Sequence, residues 1–159
     1  MDEAYELISI LTQQGKTLVT AESCTGGLLG ALLTDVPGAS KVYLGGIVSY
    51  AYELKIQCLG VDPRILEAKG AICPEVAEQM AKGARERFCG DYAISVTGNA
   101  GPRTDPLNPN VGEIYIGCAW EGGCTVQRLE LNGDRNRNRQ AACKAALDLV
   151  YFKAKAGES

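Results

Sequence analysis

The sequence predicts an α/β fold: a single three-layer α/β/α domain, residues 1–159, built on a mixed β-sheet. Three observations predict it. Helical and β-type stretches alternate through the first two-thirds of the chain, the pattern of strand–helix crossovers. Two β-rich runs then flank Glu121-Gly122-Gly123, a hairpin signal that adds antiparallel strands and makes the sheet mixed. Finally, 159 residues with 46% hydrophobic and 22% charged composition suffice for one full core.

Taken in order, Glu3 to Gln14 places Leu7, Ile8 and Leu11 on one face and ends at Gly15, a first helix with a glycine cap. Thr17 to Ala21 is a β-branched run that reads as a buried strand. From Leu28 the spacing of Leu28, Leu29, Leu32 and Leu33 is helical, and Asp35-Val36-Pro37-Gly38 stops it. Val42 to Tyr50 is β-rich around Gly45-Gly46, which predicts a bulge or a close backbone approach. Tyr52 to Leu59 is a short helix carrying Glu53 and Lys55. Asp62 before Pro63 is a cap followed by a first-turn proline, for a helix through Lys69.

Pro74 to Phe88 puts Val76, Ala77, Met80, Ala81, Ala84 and Phe88 at helical spacing, against the sheet. Ile94 to Thr97 is a strand, and Gly98 to Asn110 a long loop of Gly, Pro and Asn, functional or mobile by its length. Val111 to Trp120 and Cys124 to Leu131 form the hairpin. Asp134 opens the last helix, with Ala142, Ala145, Ala146, Leu149 and Val150 at its apolar positions.

Composition narrows the chemistry. There is no histidine, so Ser-His-Asp and Cys-His catalysis within one chain are excluded, as is His-ligated zinc or haem. A general base must be Lys, Asp, Glu or Tyr. Seven cysteines without a Cys-x-x-Cys pair favour reduced thiols over a disulfide framework or a zinc site. A net charge of −3 argues against a nucleic-acid surface. No apolar run nears the roughly 18 residues of a membrane span, and the acidic N-terminus resembles no targeting peptide, so a cytoplasmic protein is expected.

Candidate site residues gather where elements end: Glu22 to Gly27, Tyr50 to Lys55, Thr97 to Gly101, and Gly133 to Arg139. The turn Glu22-Ser23-Cys24-Thr25-Gly26-Gly27 joins a strand to a helix whose first amides can bind an anion or a developing oxyanion. It is neither a Walker A loop nor a Gly-x-Gly-x-x-Gly fingerprint. Ser23 and Cys24 are possible nucleophiles there. The alternatives are that Ser23 or Thr25 merely caps the helix and that Cys24 is a packed thiol. Lys55 could serve Ser23 as base only if burial or a nearby cation lowered its pKa from about 10.4; the alternative is a surface charge paired with a carboxylate. Arg135 and Arg139, four residues apart, share a helix face suited to an anion or simply to solvent.

Read together, Ala21-Glu22-Ser23-Cys24-Thr25-Gly26-Gly27, Gly45-Gly46-Ile47-Val48-Ser49-Tyr50, Leu59-Gly60-Val61, Val96-Thr97-Gly98 with Ala100-Gly101-Pro102, Val111-Gly112 and Gly133-Asp134-Arg135 resemble the CinA C-terminal domain family, from about Ala4 to Leu149. The resemblance implies a nicotinamide mononucleotide deamidase, which hydrolyses the carboxamide to nicotinate mononucleotide and ammonia in pyridine nucleotide salvage. By position Ser23 is then the nucleophile and Lys55 its general base. Tyr50 assists proton transfer or orients the pair, and Thr97 helps hold substrate or base. The substrate-binding set is Glu22, Cys24, Thr25, Gly26, Gly27, Gly46, Gly98, Arg135 and Arg139, with the two arginines at the nucleotide phosphate. The resemblance implies no metal and no organic cofactor. It also implies a homodimer or higher homo-oligomer, no nucleic-acid or membrane partner, and a domain standing alone where a larger partner domain often precedes it.

The chain departs from that family's pattern at Tyr52, where an asparagine is usual, and at Asn99, Arg103 and Thr104. Two of these replace glycines, which removes access to positive φ and predicts another path for the loop. Cys73 replaces a serine cap before Pro74, a weaker helix start. The rival readings are a non-catalytic nucleotide-binding module, competence- or damage-associated, and a related amidohydrolase of different substrate.

Overall fold

The computed structural model describes residues 2–157. Five strands form one sheet in the order β2-β1-β3-β4-β5. They are β1 (Leu18–Glu22), β2 (Tyr43–Val48), β3 (Tyr92–Gly98), β4 (Glu113–Trp120) and β5 (Gly123–Glu130). β1 pairs in parallel with both β2 and β3, while β3-β4 and β4-β5 are antiparallel. The mixed α/β sheet predicted by the hairpin signal is thus observed.

Side-chain alternation along the strands separates two apolar layers. Leu18, Ile94, Val96, Ile114 and Ile116 face one side, packed by α1 (Asp2–Gln14), α2 (Leu28–Thr34) and α6 (Arg135–Ala156). Val19, Ala21, Ala93 and Ala119 face the other, packed by α3 (Tyr52–Leu59), α4 (Pro63–Lys69) and α5 (Pro74–Phe88). The small residues on that second face let α5 approach closely: Ser95 Oγ donates to the Ala77 carbonyl at 2.6 Å.

The expected boundaries hold for α3, α4 and α5, and shift by a few residues elsewhere. β1 runs one residue further than Ala21, to Glu22; β3 begins earlier, at Tyr92. Asp62 and Asp134 cap their helices through Arg64 N and Arg137 N, whereas Cys73 makes no side-chain cap bond. Both predictions for Gly45-Gly46 are met. The β1-β2 register shifts between Leu18 and Val19, opposite Leu44, and a Cβ on Gly46 would lie 2.0 Å from Thr20 Oγ1.

What positions the site is the reversal at β1. From β1 the chain crosses by α2 on one face to β2, then returns by α3 to α5 on the other face to β3. The carboxyl ends of β1, β2 and β3 therefore meet on one edge around a crevice, where open α/β sheets bind ligands.

Candidate active site

A cleft of about 240 Å³ opens at that edge. Ser23 and Cys24 enter it from the end of β1, Tyr50, Tyr52 and Lys55 from the segment after β2, and Gly98, Asn99 and Ala100 from the end of β3. Ala71 and Ile72 form the wall before α5. Arg103, Thr104 and Asp105 come from the long loop, and Arg135 reaches over from α6.

Lys55 is the central feature. It is 1% exposed, and its Nζ donates to Ser23 Oγ at 2.9 Å, to the Ser49 carbonyl at 2.6 Å and to the Tyr50 carbonyl at 3.3 Å. Among the described residues no carboxylate pairs with it. Burial without a counter-ion lowers its pKa to about 8, against smaller upward pulls from Cys24 and Asp105. A neutral amine has two N–H bonds and one lone pair. The two carbonyls take the N–H bonds, so the lone pair is left facing the Ser23 hydroxyl, which can then donate to Nζ.

The adjacent thiol behaves oppositely. Burial pushes Cys24 up to about 11, so it stays protonated near neutrality, as the packed-thiol alternative anticipates.

The turn around Ser23 is held from outside the cleft. Strand alternation sends Ser23 to the α3 face and Glu22 to the α2 face. There the buried Glu22 carboxylate accepts from the amides of Gly27 at 3.2 Å, Leu29 at 2.9 Å and Gly30 at 3.0 Å. Glu22, expected at the substrate, lies outside the cleft lining and occupies the anion-binding position of α2 with an internal carboxylate. Neither Ser23 nor Thr25 caps the helix; the Thr25 hydroxyl is fully buried and, among the described residues, has no hydrogen-bond partner. Gly26 and Gly27 adopt φ of 57° and 107°, which shapes the turn but leaves both outside the cleft lining. The Cys24 amide, next to the nucleophile candidate, donates to no backbone carbonyl among the described residues.

The two arginines separate. Arg139 Nε donates to the Cys24 carbonyl at 3.0 Å and its Nη2 to the Thr25 carbonyl at 2.9 Å, so it clamps the turn from behind and does not line the cleft. Arg135 does line it, with Nη1 on the Gly101 carbonyl at 2.8 Å and Nη2 on the Tyr50 hydroxyl at 3.3 Å. The Tyr50 ring is exposed, and what Tyr50 offers Lys55 is its backbone carbonyl.

Three further residues expected at the site lie outside the cleft lining. Thr97 is buried and donates to the Ala71 carbonyl at 2.8 Å, holding the wall of the cleft without entering it. Gly46 lies in mid-strand against Thr20, and Thr25 lies beneath the turn. Gly98 does line the cleft, with Ile114 close behind it.

The long loop supplies residues that spacing alone did not mark. Asn99, 4% exposed, accepts from the Asp105 amide at 2.8 Å and donates to the carbonyls of Asn108 at 3.0 Å and Asn110 at 3.1 Å. Asp105 in turn accepts from the Tyr52 hydroxyl and, at 3.0 Å, from the Leu107 amide. The departures at Tyr52, Asn99, Arg103 and Thr104 thus all fall on this cleft. In the sequence they stood beside two other signals, the length of the loop and the cluster from Thr97 to Gly101.

Comparison with known proteins agrees with this architecture. A family model described as CinA C-terminal domain matches residues 2–153. A CinA-like protein of Frankia casuarinae is 47% identical over 151 residues, 94% of this chain but 35% of the relative. A protein of Halothermothrix orenii named as competence-damage inducible is 42% identical over 147 residues, 92% of this chain and 36% of the relative. The chain therefore spans about a third of the length of these curated relatives. Among solved structures, the competence/damage inducible protein CihA of Agrobacterium tumefaciens superposes with a TM-score of 0.92 at 33% identity, covering 97% of this chain and 94% of that one. A CinA superfamily protein of Klebsiella pneumoniae gives 0.93 at 26% identity, with 98% and 97% coverage. Among the described residues no helix is long and apolar enough to cross a membrane.

Proposed function

The chain belongs to the CinA C-terminal domain family, and from the cleft it builds we propose that it is a Ser-Lys amidohydrolase acting on the carboxamide of nicotinamide mononucleotide, in pyridine nucleotide salvage. The observation that carries the reading is the buried Lys55 amine, 2.9 Å from Ser23 Oγ and without a carboxylate partner. A merely structural lysine is more stable paired or exposed.

The steps follow from the donors and acceptors. Neutral Lys55 takes the Ser23 proton as Oγ attacks the amide carbon, and the resulting ammonium is held by the Ser49 and Tyr50 carbonyls. The Cys24 amide is the available donor for the oxyanion. Lys55 then returns its proton to the amide nitrogen, which leaves as ammonia, and an ester to Ser23 remains. Water, deprotonated by Lys55, attacks that ester; the Ser23 Oγ–acyl bond breaks, Lys55 returns the proton to Oγ, and nicotinate mononucleotide leaves. At pH 7 about a tenth of an amine with pKa near 8 is neutral, enough for a general base.

Ammonia release from nicotinamide mononucleotide by the wild type, Ser23→Ala and Lys55→Ala, followed against pH, tests this. The wild-type kcat/KM is expected to rise with pH and level off above about 8, because the base works deprotonated. Each variant should lose roughly a thousandfold or more, as when a nucleophile–base unit is broken. A wild-type profile still rising at pH 10, or a Lys55→Ala enzyme that keeps the limb, removes Lys55 from the mechanism. Ligand-dependent thermal stabilisation without ammonia release moves the reading to a nucleotide-binding module.

A further inference from the structure

The cleft has more positive charge than the chemistry on the amide requires. Lys55, Arg103 and Arg135 line it against one carboxylate, Asp105, which already accepts from the Tyr52 hydroxyl and the Leu107 amide. With Arg139 committed to the turn carbonyls, the second guanidinium lining the cleft with Arg135 is that of Arg103. Among the described residues the Arg103 guanidinium has no hydrogen-bond or ion-pair partner.

Its freedom at the tip contrasts with the fixity of its backbone. Arg103 sits in the loop that Asn99 ties at Asp105, Asn108 and Asn110, and that Arg135 ties at the Gly101 carbonyl. The segment carrying Arg103 is thus anchored on both sides, and one of the anchors is the other arginine. An unpaired guanidinium on an anchored loop, in the same cleft as a second guanidinium, suits a group with several equivalent oxygens and two negative charges.

We propose that Arg103 and Arg135 form a two-sided clamp for a terminal phosphomonoester, and that Arg103 is the residue that discriminates a mononucleotide from its nucleoside. The assignment rests on the amidase reading for the identity of the substrate, but the anion site itself does not depend on turnover.

The test is calorimetric titration of ribose 5-phosphate, and separately of inorganic phosphate, into wild type, Arg103→Ala, Arg103→Lys and Arg135→Ala. Ammonia release from nicotinamide mononucleotide and from nicotinamide riboside is measured in parallel. Arg103→Ala is expected to bind ribose 5-phosphate roughly tenfold more weakly, the loss of one charge-assisted contact. Arg103→Lys should recover part of that affinity, because it restores the charge without the fork. The preference for mononucleotide over riboside should fall by a similar factor, more through KM than kcat. Binding of inorganic phosphate alone, with no gain from the ribose, would identify a free-anion site and overturn the nucleotide assignment. Undiminished binding by Arg103→Ala, or no binding of ribose 5-phosphate by the wild type, overturns the clamp. Arginine-dependent binding with no ammonia released leaves the clamp standing and the amidase reading refuted.

Discussion

Two connections of unlike length border the same cleft, and each is held still by different means. The turn from Ser23 to Gly27 is short, and charged groups brace it from outside: the Glu22 carboxylate binds the amides of Gly27, Leu29 and Gly30, and the Arg139 guanidinium binds the carbonyls of Cys24 and Thr25. The loop from Asn99 to Asn110 is long, and its own side chains fold it. Asn99 and Asp105 replace with internal hydrogen bonds the backbone ladder that a loop lacks. The first device satisfies the charge of a helix start and the carbonyls of a turn in one step. The second lets a twelve-residue loop place Arg103, Thr104 and Asp105 in the cleft wall on an internally bonded backbone.

The contrast can be broken at either brace, and the turn should break harder. Glu22→Ala removes a buried carboxylate from three amides at once, and the cost should be about 3 kcal/mol by urea denaturation. Glu22→Gln keeps one acceptor oxygen and should recover part of that loss; equal stability of Glu22→Ala and wild type would show that water replaces the carboxylate without penalty. Asn99→Ala comes second. About 2 kcal/mol is expected, concentrated in the loop, with faster amide hydrogen exchange at Asp105, Leu107 and Asn110 and little change at Leu29 and Gly30. Exchange that accelerated equally at both places would mean the two connections unfold as one unit.

The same contrast marks what the sequence could tell. Caps, glycines and hydrophobic spacing are local, so α3, α4 and α5 were legible to the residue, and the Gly45-Gly46 irregularity was visible as a pair. Glu22 was assigned to the ligand because it sits beside Ser23 in the motif. Strand alternation, once β1 is seen to include Glu22, sends the two side chains to opposite faces. Arg135 and Arg139 share a helix face, yet four residues displace them by about 6 Å along the axis, enough to put one at the cleft and the other behind the turn. The burial of Lys55 and the folding of the long loop depend on contacts between distant segments, such as Tyr52 with Asp105 and Thr97 with Ala71. No local pattern encodes those.

The missing counter-ion of Lys55 also has a meaning for folding thermodynamics. In the unfolded chain this amine holds its proton up to its ordinary pKa of about 10.4, whereas in the folded protein it releases it near 8. Below pH 8 both states carry the charge, and the native state bears the whole penalty of burying it. Between 8 and about 10 the unfolded state binds the extra proton, so this group makes stability rise with pH, and above that window the penalty is gone. The difference is on the order of 3 kcal/mol at neutral pH. Lys55→Met, similar in length and uncharged, is expected to unfold at a higher urea concentration than wild type at pH 7 and to lose that advantage by pH 10.5. The amine is then a place where the fold gives up stability at neutral pH to keep a reactive group in reach of Ser23.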